Sequence, residues 1–249
     1  MRIEAKSVGR TKIPKDQYVV LDHARLHGEN FSRRKLMQFC TIGCRLEACH
    51  FDRARIDCAQ FGSGKETSEF INCTFDGAQM EMGSGGLSRF VGCSFRDVDL
   101  RGWFCFAVEL LDCTFSGRLR RSVFNGTPLE EQRALLGRDR NEIHGNDFSG
   151  MEFVDVGFRT GVDLRKQRLP SGPPYLYLED ATAAVGRAWS GIVGWDNLEM
   201  RRIALVFVKS LQEEINRGQE QMLLRADDYY SALPREAIDE VFSLLRGVV

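Results

Sequence analysis

The 249-residue chain has no apolar run of 18 residues, the length that a membrane-crossing helix requires, and Met1-Arg2-Ile3-Glu4-Ala5-Lys6 has no signal-peptide pattern. Both absences predict a cytoplasmic protein. Surplus charge of either sign is missing too, since 34 Lys and Arg stand against 35 Asp and Glu. Direct nucleic-acid binding is therefore not expected, although residues 1–18 carry a local excess through Arg2, Lys6, Arg10, Lys12 and Lys15 against Glu4 and Asp16. That segment reads as a solvated N-terminal arm. No GxSxG, HExxH, Walker or dinucleotide motif accompanies His23, His27, His50 and His144, so no catalytic residue and no cofactor is assigned. Eight cysteines are present without a CxxC pair or a secretion signal, which removes the usual reasons to expect disulfides or zinc. Cys40, Cys44, Cys49 and His50 are the nearest approach to a metal cluster, but Cys44 and Cys49 belong to a repeat and read as core.

What the chain has in quantity is a period. Glu69-Phe70-Ile71-Asn72-Cys73-Thr74-Phe75, Arg89-Phe90-Val91-Gly92-Cys93-Ser94-Phe95 and Glu109-Leu110-Leu111-Asp112-Cys113-Thr114-Phe115 superimpose at a spacing of twenty. Within them bulky apolar residues stand five apart. Stepping back by fives gives Leu21, Leu26, Phe31, Leu36, Thr41, Leu46, Phe51, Ile56 and Phe61, with Thr41 the single polar member. The loop-like stretch Gly62-Ser63-Gly64-Lys65-Glu66 delays the next step, and the period resumes from Phe70 to Phe115. After Phe115 it slips by one, because Leu119 and Phe124 suit an interior better than Arg120 and Asn125. Small residues precede many of these positions by two, among them Ala24, Cys44, Cys49, Ala54, Cys73, Gly83, Ser88, Cys93 and Cys113. A fixed period of this kind means that each unit must stack on its neighbours to bury its apolar face.

Ala54-Arg55-Ile56-Asp57-Cys58 and Ala78-Gln79-Met80-Glu81-Met82 resemble the loose motif of the pentapeptide-repeat family: a small residue, a polar one, a large apolar one and two more polar ones. The resemblance implies an all-β solenoid, a right-handed quadrilateral β-helix with five residues per side and four sides per coil. It covers residues 19–125. Phe31, Phe51, Phe75, Phe95 and Phe115 then form one structural core ladder, about 25 Å long at roughly 4.8 Å per coil.

Thr127-Pro128-Leu129-Glu130-Glu131 predicts a helix capped by Thr127 and ending near Gly137, within an insertion at 126–145. Phe148, Phe153 and Phe158 return at steps of five and predict a final coil over 146–165. Both interruptions, after Phe61 and after Phe124, would leave the same corner. From 166 to 249 the pattern becomes helical, with helices over Glu179–Trp189, Leu198–Arg217 and Pro234–Arg246. Ile203-Ala204-Leu205-Val206-Phe207-Val208 predicts a buried stretch, and Ala237, Ile238, Val241, Phe242, Leu245 and Val248 predict one apolar stripe. These helices would cap the column and join two copies as a homodimer.

Three functional classes follow. A filled column leaves no substrate cavity, which favours a non-enzymatic scaffold that presents a rigid face to a protein partner in a regulatory, immunity or resistance role. Some members of the family mimic DNA and protect type II topoisomerases, but residues 21–125 hold 14 Lys and Arg against 13 Asp and Glu, where a mimic requires strong negative charge. An enzyme accessory role would need a site at the junction of column and helices, where Tyr175, Tyr177, Trp189, Trp195, Tyr229 and Tyr230 concentrate. Asp97 and Asp99 share a surface without a pocket, and Glu69, Arg89 and Glu109 read as solvated charges paired between coils.

Overall fold

The computed structural model describes residues 2–4, 17–230 and 234–247. Lys6, Arg10, Lys12, Lys15, Asp16 and Val248 lie outside them. The chain winds into a parallel β-solenoid followed by a smaller module of helices. Strands pair in parallel one turn apart, Val20 opposite Cys40, Phe39 opposite Ala59 and Phe90 opposite Leu110. Where residues 62–67 intervene, the step lengthens and Leu46 meets Phe70. Arg2–Glu4 pairs with Val20–Asp22, so the start of the chain is not wholly the solvated arm that its composition predicts.

The interior is continuous aromatic and aliphatic packing. Rings stack from Phe31 to Phe51, Phe75, Phe95, Phe115 and on to Phe148, with centroids 4.7, 4.7, 4.5, 4.8 and 4.6 Å apart. The spacing is that of hydrogen-bonded strands, because each ring projects from the same point of its own turn. The polar break at Thr41 is compensated within the same turn, since Phe39 is fully buried and meets both Phe31 and Phe51 edge-on. Trp103 similarly supplies the bulk that Cys105 lacks, and its ring packs against Phe90, Phe95 and Phe124. At Gly85 no side chain fits, because a Cβ there would lie 2.0 Å from the carbonyl oxygen of Phe104. Gly83, expected to face inward, is displaced by a register shift that turns Met82 into the core instead.

The slip after Phe115 has a visible cause. A bulge places Arg96 and Asp97 opposite the single residue Ser116, so Leu119 pairs with Leu100 and Phe124 with Cys105. Asp147–Arg159 adds the last long strand, with Phe153 beside Leu119 and Phe158 beside Phe124.

Helix α1 spans Glu130–Leu136 and starts later than expected. Leu129 occupies the N-cap, while the Thr127 hydroxyl donates to the carbonyl of Thr160 at 3.1 Å and is thereby withdrawn from capping. Gly137 ends the helix in the left-handed region at φ 63°.

The C-terminal module contains α2 (Ala181–Val193), α3 (Leu198–Asn216) and α4 (Arg235–Arg246), capped at their starts by Asp180 on α2 and Asn197 on α3. An antiparallel pair, Tyr175–Leu178 with Met222–Arg225, joins them and has no counterpart in the sequence reading. Helices and strand pair share a core of their own, in which Ala237, Ile238, Val241, Phe242 and Leu245 of α4 are buried. Val206, expected inside, is 65 % exposed on α3. Leu169, Tyr175 and Leu223 pack against the column's core, and Glu214 of α3 meets Arg159 of the last strand at 3.6 Å. Gln219 Oε1 accepts from the amides of Gly161 and Val162, Gln221 Oε1 from that of Leu164, and the Tyr175 hydroxyl from that of Phe153. The Phe153 amide on the last strand and the amides of the turn that follows it are thus satisfied by side chains rather than by another strand. Among the described residues no helix is long and apolar enough to cross a membrane.

Candidate functional site

Because successive turns lie about 4.8 Å apart, outward side chains form straight files, and a file is only as useful as the charges in it. The face built from Arg55–Gln60, Gln79–Ser84, Ser94–Arg101 and Thr114–Asn125 carries both signs. Arg55 pairs with Asp57 at 2.9 Å, Arg101 with Glu81 at 3.7 Å and Arg120 with Asp99 at 2.7 Å. The face is shallow, its hollow floored by Ile56 and Met80 between these pairs. Asp97 lies apart, with its carboxylate 3.4 Å from the Ser116 hydroxyl. Asp97 and Asp99 are therefore not brought together for chemistry.

A second charged group differs from its sequence reading. Glu69 pairs with Arg45 at 2.6 Å on the surface, as a solvated ladder residue would. Glu109 is buried, its side chain only 4 % exposed, and is held by Arg89 at 2.9 Å and Arg138 at 2.6 Å. Arg89 also reaches Glu142 at 2.8 Å. Arg138 and Glu142 belong to the insertion, which closes over this carboxylate and removes it from water. Asn141 fastens the neck of the insertion by donating to the carbonyls of Phe106 and Asn125. No local sequence signal connects residues 109 and 138.

The cysteines line the column. Cys73, Cys93 and Cys113 each donate to a carbonyl of the preceding turn, those of Leu46, Phe70 and Phe90. Asn146 ends the file, accepting from the Cys113 amide at 3.0 Å. Burial pushes the Cys44, Cys93 and Cys105 thiols up, which makes them poor nucleophiles and poor ligands. Cys40, Cys44 and Cys49 are buried, whereas His50 faces solvent and approaches Thr74 at 3.0 Å, so the four do not converge. Among the described residues no group of three or more His, Cys, Asp or Glu could hold a metal ion. His23 lies between Asp22, at 2.6 Å, and Glu66, at 3.2 Å, and these carboxylates raise its pKa, Asp22 most.

The six aromatic residues of the C-terminal region disperse. Tyr175 faces Phe153 and Tyr229 packs on Phe207, while Tyr230 bonds Asp239 and Trp195 packs against the helical core. Tyr177 and Trp189 are exposed. What does form at the junction is a cluster of charge. Asp228 accepts from Arg225 at 2.9 Å and from the Asp155 amide at 3.0 Å, and Arg159 stands 3.6 Å from Glu214. Burial raises the pKa of Asp228 and pushes that of Tyr229 up to about 12. The sequence reading placed aromatics at this junction but none of these carboxylates.

Comparison with models of protein families and with curated proteins finds no match.

Proposed function

We propose that the chain is a non-enzymatic binding scaffold of the pentapeptide-repeat kind, whose mixed-charge face receives a protein partner. The quadrilateral form is supported by its corners. Residues in the left-handed region recur five apart, at His23, Gly28 and Arg33, at Gly43, Ala48 and Arg53, and at Gly92, Asp97 and Gly102. A five-residue side ending in a tight corner accounts for that spacing.

The observation that carries the binding role is the pairing of charges across turns on the face with Arg55, Glu81, Asp99, Arg101 and Arg120. Its backbone is backed by the buried core, and Arg101 and Arg120 pair with Glu81 and Asp99 of the neighbouring turn. A surface so held loses little conformational freedom on binding, and both signs of charge suit a protein partner better than a polyanion. A stable interface requires about 800 Å² per partner, to which the adjoining module would contribute together with this face. Near-neutral charge counts against the DNA-mimic alternative. Affinity capture from the native host tests the reading. The charge reversals Arg101→Glu and Arg120→Glu should abolish recovery of a specific partner while the melting curve stays put. Recovery undiminished by both reversals would move the interface elsewhere.

Homodimerisation is proposed on one further observation. Trp189 and Val193, one turn apart on α2, and Leu198 and Val206 on α3 remain exposed, whereas the apolar stripe of α4 is consumed inside the module. The contact then belongs to α2 and α3 rather than to the last helix. Light scattering of Leu198→Glu with Val206→Glu should give a monomer where the parent gives a dimer. A parent chain that is monomeric at tens of micromolar would remove the proposal.

A further inference from the structure

The first turns of the column carry an edge whose charge is not balanced. Lys35, Arg55, Gln79 and Asp99 stand opposite one another in successive turns, so their outward side chains share a file. Arg33, Arg53, Gly77 and Asp97 hold the adjoining corner in the left-handed region, at φ 59°, 55°, 70° and 54°. Both files run in the same order, two cations, then an uncharged residue, then a carboxylate. Arg33, Lys35, Arg53 and Arg55 therefore crowd into two neighbouring turns, about 4.8 Å apart.

Their surroundings do not neutralise them. All four are exposed, and Arg55 alone has an ion pair, with Asp57 at 2.9 Å. The side chains of Arg33, Lys35 and Arg53 have no hydrogen-bond or ion-pair partner among the described residues. The carboxylates on the other side of the corner are engaged elsewhere, since Asp52 accepts from the Asp76 amide at 3.1 Å and Asp76 accepts from the Ser94 hydroxyl at 2.6 Å and the Arg96 amide at 2.9 Å. Arg101 and Arg120, by contrast, each find a carboxylate one turn away. Like charges held at the spacing of the turns repel, and an anion placed over them relieves that repulsion. Just past Lys35, Met37 is 46 % exposed, so an apolar group borders the cations.

We propose that this corner receives a short acidic segment of the protein partner, whose carboxylates meet Arg33, Lys35 and Arg53 while a neighbouring apolar side chain lies on Met37. The assignment rests on the scaffold reading and names the chemistry of one contact within it. A guanidinium presents paired N–H donors to the two oxygens of a carboxylate, which suits Arg33 and Arg53 to such a segment. The extent of the patch sets the length of its occupant. A polyanion laid along the column would pass Arg53 and Arg55 and, about 10 Å further on, meet Asp97 and Asp99, which repel it. A segment with two or three carboxylates ends before them. Nucleic acid is therefore the poorer fit.

Fluorescence anisotropy of a labelled Glu-Glu-Leu-Glu-Glu peptide titrated with the full chain tests the assignment, with Lys-Lys-Leu-Lys-Lys and a short oligothymidylate as the comparison probes. Saturation with Kd below about 1 mM is expected for the acidic peptide, weakening as salt rises, and none for the lysine peptide. Arg33→Glu and Arg53→Glu should each weaken binding about fivefold, whereas Arg202→Glu, the same change of net charge on the exposed side of α3, should leave it unaltered. Unchanged melting curves establish that the variants are folded. Absence of saturation with the acidic peptide overturns the proposal, as do tighter binding of the oligothymidylate and an equal loss in the Arg202 variant. Capture of a native partner decides the scaffold reading and the peptide decides this corner, so the two failures are told apart.

Discussion

Truncating Phe95 to alanine is the sharpest probe of the column. Its ring is fully buried between Phe75 at 4.5 Å and Phe115 at 4.8 Å, with planes within 4° of parallel, and it meets Phe90 at 5.7 Å and Trp103 at 5.8 Å across the core. Phe-to-Ala changes in packed cores cost about 3–5 kcal/mol, and each aromatic contact adds about 0.5–1.5 kcal/mol beyond area burial. Two stacked neighbours place Phe95→Ala at the upper end, about 4–5 kcal/mol. Phe31 stacks on Phe51 alone, so Phe31→Ala should cost less, about 3 kcal/mol. For a chain of this size about 2–4 °C is lost per kcal/mol, giving Phe95→Ala a fall of roughly 8–20 °C. Urea and thermal unfolding followed by circular dichroism measure both variants. A cost below about 1 kcal/mol for Phe95→Ala, or a larger cost for Phe31→Ala, would refute the stacked-ladder account of stability.

Three further perturbations probe the turns, the strand junction and the buried charge. Gly85→Ala puts a Cβ 2.0 Å from the Phe104 carbonyl oxygen and should cost about 3 kcal/mol or more, whereas Gly137→Ala, left-handed but in open space, should cost about 1 kcal/mol; thermal melts that rank them the other way would contradict the close approach of the turns. Gln219→Ala leaves the buried amide of Val162 and the half-buried amide of Gly161 without their acceptor and should cost about 1–3 kcal/mol, with faster hydrogen exchange at those two amides as the specific readout. Burial raises the pKa of Asp228 above its ordinary value of 3.8, so the folded state holds that proton more tightly than the unfolded state does. Its contribution to stability is full below 3.8 and is lost as pH rises through the raised value; Asp228→Asn should remove that part of the slope of urea midpoint against pH, and an unaltered slope would show that the carboxylate is not desolvated.

The five-residue period was legible because each turn of a solenoid makes its in-out choice locally and the next turn repeats it. Leu46, Phe70, Phe90 and Leu110 can be aligned without knowing what they touch, and so could the slip to Leu119 and Phe124. The bulge that causes the slip was not legible, nor was the exchange of bulk between Thr41 and Phe39 or between Cys105 and Trp103. These are volume relations between neighbouring positions, which a period does not rank. The helices were recovered to within a few residues from their apolar stripes, but Val206 points outward because one side of α3 was all that the module could cover.

The candidate sites stood largely beyond the sequence. Glu109 looks like any exposed ladder residue until Arg138 and Glu142 arrive from an insertion about thirty residues away. Gln219 and Gln221 are unremarked polar residues until they meet the amides of residues 161–164, in the turn after the last strand. Tyr175–Leu178 and Met222–Arg225 are four-residue strands, too short to register as a period, and their pairing across more than forty residues creates the junction where Asp155, Glu214 and Asp228 converge. The sequence by itself determined a stacked column with a filled aromatic interior and a helical end, since a repeating pattern of burial is a property of local spacing. The tertiary structure alone decided which charges are buried, what closes the strand edge and where a cavity remains, because each of those depends on distant segments meeting in space and on the desolvation that follows.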